Sequence, residues 1–139
     1  MAESVEPEPR LFTLEEASSL LPTLRAILGD LHGATGALAE AQQALGEHVG
    51  GRSRSNGHAG PDPTTEGLAT ATEAAQDRVR RAVQAIAELG CELKDPQRGM
   101  VDFRTMRDGR VVYLCWLVEE PRIMYWHELR AGYMGRQPL

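Results

Sequence analysis

The sequence predicts an α+β fold: a kinked N-terminal helix and an antiparallel helical hairpin packed on a three-stranded antiparallel β-meander. Three observations carry this prediction. Apolar residues recur at steps of four and three along two segments of similar length, a Gly/Ser/Pro-rich stretch separates the segments, and the hydrophobic period falls to two beyond Asp95-Pro96. The 139 residues leave room for one domain, because domains of about 100 to 150 residues are the commonest. The organisation read from the chain is a disordered tail at 1–10 and a single α+β domain at 11–139.

Residues 1–10, MAESVEPEPR, are Pro- and Glu-rich and hold almost nothing to bury, which predicts a mobile tail. Thr13 and Glu16 then form a capping-box pair that starts a helix near Leu14. Pro22 cannot donate to the preceding turn, so the helix kinks or restarts there. A heptad seam follows through Leu24, Leu28, Leu31, Thr35, Leu38, Gln42 and Leu45, and a second through Leu68, Thr72, Ala75, Val79, Ala82, Ile86 and Leu89. Two such segments of about 22 residues, about 33 Å each, pair as an antiparallel hairpin with coiled-coil spacing. The stretch between them, 46–67, is read as a flexible loop. It contains His48, His58, Arg52 and Arg54, too scattered to predict a metal or phosphate loop.

Gly90 ends the second long helix, and Asp95-Pro96 turns the chain. Strands are predicted at 100–104, 110–118 and 122–128, the first two joined by an Asp108-Gly109 hairpin turn. The middle strand, with VVYLCWLV, is apolar on both faces. One face should lie on the helical hairpin, and the other should meet the C-terminal tail or a second subunit. The tail LRAGYMGRQPL, with Gly132, Gly135 and Pro138, reads as loop.

Charge and cysteine usage narrow the function classes. The formal net charge is −5, with 20 acidic against 15 basic residues, the opposite of a nucleic-acid binder driven by global electrostatics. Seven Arg against five acids make residues 96–139 the basic end, and Lys94 is the sole lysine. The apolar runs fall far short of the roughly 18 residues of a membrane span, and the acidic N-terminus does not resemble a secretion signal. Cys91 and Cys115 are therefore expected as reduced thiols in a cytoplasmic protein.

The residues with chemical potential gather near the C-terminus: Trp126, His127 and Glu128 on the third strand, Asp102 on the first, Cys115 on the second. Neighbours on a strand face opposite ways, so His127 and Glu128 cannot share a site without a bulge. If the last turn has Glu120 and Pro121 at its tip, Leu114 lies opposite His127; a longer turn of four residues places Val112 there. In either register Cys115 points away from His127, which argues against a Cys–His nucleophilic pair. A metal would need converging donors such as His127, Asp102 and one of Glu15 or Glu16, and no CxxC or HExxH spacing supports one. No cofactor is predicted. Arg136, beside Gly135, is read either as an anion clamp with His127 and Arg130 or as a salt bridge to Asp102 or Glu128 that pins the tail. Arg78, Arg80 and Arg81 read as a solvated helix face, with Asp77 and Arg81 paired.

Taken together, FTLEEA at 12–17 with Leu20-Leu21-Pro22, ELKD at 92–95, Gly99, Asp102-Phe103, VYLCW at 112–116, Trp126-His127-Glu128 and the closing GRQPL resemble the bacterial and archaeal "domain of unknown function 2203". The resemblance implies a shared pattern over nearly the whole chain and brings no chemistry with it. It also implies a shorter inter-helix connection in many members, so the loop here is not the common site.

The function expected is that of a cytoplasmic, non-enzymatic interaction or self-association module, with a homo-oligomer or protein partner and no membrane. The alternative is a small-ligand, anion or metal site around the sheet and tail, built from His127, Arg136, Asp102 and Glu128.

Overall fold

The structure, a computed structural model, describes residues 9–54 and 62–139, with the backbone alone at 52–54. It contains three α-helices, α1 (Leu14–Ser19), α2 (Leu21–Arg54) and α3 (Pro63–Glu88), followed by a five-stranded antiparallel sheet. The strands β1 (Glu92–Asp95), β2 (Met100–Arg107), β3 (Arg110–Leu117), β4 (Tyr125–His127) and β5 (Gln137–Pro138) pair in chain order. The described residues divide into two compact units, one of Gly29–Gln84 and one of the flanking segments with the whole sheet. Among the described residues no helix is long and apolar enough to cross a membrane.

In the sheet-bearing unit the chain starts as its local chemistry dictates. Thr13 Oγ1 accepts from the Glu16 amide and the Glu16 carboxylate accepts from the Thr13 amide, completing the capping box. Of the two outcomes expected at Pro22 the chain takes the restart, so the N-terminal helix is broken and not kinked: α1 caps at Leu20, and α2 begins at Leu21. Pro22 falls at the second position of α2, where an N–H would have no helical partner to lose. Phe12 anchors this corner, donating its amide to the Arg104 carbonyl at 2.7 Å and meeting Phe103 edge-on at 5.3 Å. The expected tail is described only at Pro9 and Arg10. Arg10 is tied down, donating to the Leu89 carbonyl and stacking over Phe12. At the far end of α3, Gly90 takes φ +90° and stops the helix.

The sheet has two more strands than the meander expected. ELKD forms β1, and Gln137–Pro138 forms β5. The tail also carries a 3₁₀ turn at Tyr133–Gly135. The strand expected at 122–128 is shorter, and the first runs on to Arg107. Asp108 and Gly109 both have positive φ, 51° and 79°, the condition for the two-residue hairpin turn their sequence predicts. Phe103, Leu114, Trp116 and Trp126 bury one face of the sheet, while Asp102, Tyr113, Cys115 and His127 bury the other.

The second unit is a helical hairpin. His48 meets Asp62 at one end and Arg78 lies beside Gly33 further along, so α2 and α3 run antiparallel. Every position of the second predicted stripe, Leu68 through Leu89, is buried or half-buried. On α2 the stripe shifts: Thr35 and Gln42 are exposed, and Ala34 and Ala41 turn inward instead. The helices also exceed their expected lengths, so 46–54 and 63–67 are helical and not loop. Asp62 explains one end, accepting from the Thr64 amide, the Thr65 hydroxyl and His48 Nε2. His58, and the side chains of Arg52 and Arg54, lie outside the described residues. Asp77 pairs with Arg80 rather than Arg81, which reaches the Asp77 carbonyl.

Candidate functional site

Register decides which side chains of the sheet meet. On β2–β3, Asp102 lies directly opposite Cys115; on β3–β4, Tyr113 lies opposite His127. Alternate residues share a face, so Asp102, Tyr113, Cys115 and His127 all point the same way. This overturns the expectation that Cys115 faces away from His127. The β3–β4 register is centred on Glu120, one position off both registers considered from sequence, and a one-residue slip moves every side chain to the other face. Glu120 sets this centre. Its carboxylate accepts from the Leu117 amide at 2.7 Å, its amide donates to the Leu117 carbonyl, and its own carbonyl accepts from Trp116 Nε1.

Asp102, Cys115 and His127 form a buried cluster, exposed by 1%, 0% and 1%. One donor atom from each lies within 4.8 Å of the others. His127 Nε2 faces Asp102 Oδ2 at 3.0 Å, and Nδ1 bonds to the Glu128 carbonyl at 2.8 Å. Asp102 Oδ1 has no hydrogen-bond partner. The His127 ring also packs on Tyr113, with centroids 5.3 Å apart. Burial pushes the Asp102 carboxyl above its ordinary range. Burial, reinforced by Asp102, pushes the Cys115 thiol up to about 12, which removes it as a free nucleophile at neutral pH.

The other sequence-predicted site residues disperse. The Glu128 side chain leaves the cluster for a forked pair with Arg110, which holds its carboxyl below the usual carboxylate range; only its carbonyl serves His127. Arg136 bonds neither Asp102 nor Glu128. It donates to Glu120 Oε1 at 2.6 Å and to the Cys115 carbonyl at 3.3 Å, and stacks over Tyr125. Glu16 is spent on its helix cap. Sequence reasoning considered Cys115 and set it aside on the wrong register, and it passed over Glu120, whose signal was an acid set between an apolar strand and a proline.

A different surface of the same unit is apolar. A groove of about 460 Å³ is lined by Leu11, Phe12, Leu14, Met106, Leu114 and Leu139 together with Thr13, Glu16, Thr105 and Arg107. Leu11, Leu14, Met106 and Leu139 are 45 to 54% exposed. Leu14 and Leu139 also line an adjoining groove with Arg122, Ile123 and Met124. Arg107 stacks its guanidinium over Trp126 while its buried Nε has no hydrogen-bond partner.

The family model described as an uncharacterized conserved protein, DUF2203, matches residues 10–139. The chain belongs to the DUF2203 family. No curated protein and no solved structure matches it. The match covers both the helical hairpin and the complete sheet of this DUF2203 chain, so the residues of the buried cluster and those of the apolar groove all fall within it.

Proposed function

We propose that this DUF2203 chain is a non-enzymatic, cytoplasmic interaction module that self-associates through the apolar groove beside α1. The carrying observation is the convergence of four exposed large apolar residues, Leu11, Leu14, Met106 and Leu139, on one groove. Single exposed apolar residues are ordinary, whereas a contiguous patch marks a surface that is covered in use. Its occupant is a second copy of the chain. Both signs of charge line these grooves, Glu16 and Arg107 in one and Arg122 in the adjoining one. A two-fold interface brings one patch onto itself and therefore needs this self-complementary arrangement. The free, buried thiols Cys91 and Cys115 support a reducing compartment.

Native mass spectrometry and light scattering across a dilution series test this reading. A dimer that dissociates on dilution is expected, and Met106→Glu should shift it to monomer at unchanged helicity. A monomer at every concentration, or a dimer indifferent to Met106→Glu and to Leu14→Glu, overturns it.

A further inference from the structure

Asp102, Cys115 and His127 take no part in the apolar groove, yet the sheet buries all three around one point. A carbonyl oxygen only accepts, so the bond to Glu128 fixes a proton on His127 Nδ1. In the neutral ring this leaves the Nε2 lone pair facing Asp102 Oδ2 at 3.0 Å. Two acceptors at that distance need a proton or a metal ion between them. Asp102 Oδ1 is fully buried with no hydrogen bond of normal geometry, and the Cys115 thiol acts on the same carboxylate, so this oxygen is also open to an ion. Metal-ligating histidines are oriented in this way, one nitrogen donating to a carbonyl while the other meets the ion.

We propose that Asp102, Cys115 and His127 are the protein ligands of a zinc-type metal site. The donor set fits in charge: a divalent ion held by a carboxylate, a thiolate and a neutral imidazole carries no net charge into the interior. It fits in kind, since sulfur and imidazole nitrogen select zinc over magnesium or calcium. In size it needs a small adjustment: zinc bonds of about 2.0 to 2.3 Å place tetrahedral donors roughly 3.3 to 3.8 Å apart, so the 3.0 Å His127–Asp102 contact must open slightly as the donors, all within 4.8 Å of one another, close around the ion. Binding expels the Cys115 thiol proton, and any proton shared by His127 and Asp102, to solvent. The site is independent of the groove: either surface can fail without the other.

Cobalt(II) tests the site, because a thiolate ligand gives cobalt a near-ultraviolet charge-transfer band and tetrahedral coordination gives it visible absorption. The full chain is stripped with a chelator, then titrated with cobalt both as the folded protein and during refolding from urea, which gives the ion access to the buried site. One cobalt per chain with both spectral features is expected, displaced by zinc, with a rise in melting temperature. Cys115→Ser should lose the charge-transfer band and weaken binding by roughly tenfold or more, while Cys91→Ser keeps the wild-type spectrum. Wild-type protein that refolds without a cobalt spectrum, or a band that survives Cys115→Ser, overturns the site. Unchanged melting in excess zinc also overturns it and means that a proton alone holds His127 to Asp102.

Discussion

Arg136 donates to Glu120 Oε1 at 2.6 Å, with both side chains only 10% exposed, and this pair ties the C-terminal tail to the β3–β4 connection. Breaking a buried pair leaves one charge uncompensated, which costs about 3 to 5 kcal/mol. Arg136→Met and Glu120→Gln should each destabilise on that scale in urea unfolding. The double variant should recover part of the loss, so the thermodynamic cycle should return a coupling well above the roughly 0.5 kcal/mol expected of independent sites. Purely additive losses would assign the tail's attachment to Tyr125 stacking and strand pairing instead.

Gly90 closes α3 at φ +90°, with the Arg10 side chain lying where a Cβ would stand. Gly90→Ala adds left-handed strain of about 1 to 2 kcal/mol and displaces Arg10 from the Leu89 carbonyl. Equilibrium unfolding should show that loss. A Gly33→Ala control, at a helical site open enough for a methyl group, should stabilise by about 0.4 to 1 kcal/mol.

Glu92 sets part of the acid limb of stability. Burial alone would raise its carboxyl, but Tyr113, Lys94 and Arg104 together hold it below the usual carboxylate range. A carboxyl lowered on folding stabilises the fold above its unfolded value, and the contribution disappears as pH falls through the folded value. Stability should therefore fall on acidification below about pH 4.5. Glu92→Gln should be less stable near neutrality and should show a shallower acid limb, read from melting temperature against pH.

Both cysteines should resist alkylation in the native protein. Burial holds the thiol of Cys91 at about 11 and that of Cys115 at about 12, and neither side chain is accessible. Iodoacetamide at pH 8 should leave the folded chain unmodified and label both sites in urea, counted by intact mass. Rapid labelling of Cys115 in the folded chain would mean that the sheet opens at the buried cluster.

What the sequence carried, and what it did not, follows from the range of each interaction. Thr13–Glu16 and Asp108-Gly109 act within a few residues, and both act as read. The α3 stripe was legible because burial there follows a single period. The strand ELKD was not, because an edge strand four residues long with three charges has no alternating pattern. Nor was β5, two residues containing a proline. Gly46, Gly50 and Gly51 read as loop by propensity, yet α2 continues through them toward the end that Asp62 fastens to His48. Of the site, His127 and Asp102 were found by type and position. Cys115 was lost to one residue of register, which depends on how Glu120 folds back and leaves no local signature.

The centring of the β3–β4 register on Glu120 gives this segment a parity rule. Adding or removing one residue between Leu117 and Tyr125 would carry His127 to the opposite face, away from Asp102 and Cys115, unless a bulge absorbed it. A slide of two residues would keep His127 on the same face but carry it about 7 Å along β3, out of reach of Asp102 and Cys115. Length variation here is thus tolerated only where the connection itself takes it up: descendants of this chain keep the cluster when the added or lost residues stay in the loop, and lose it when they slide β4 along β3.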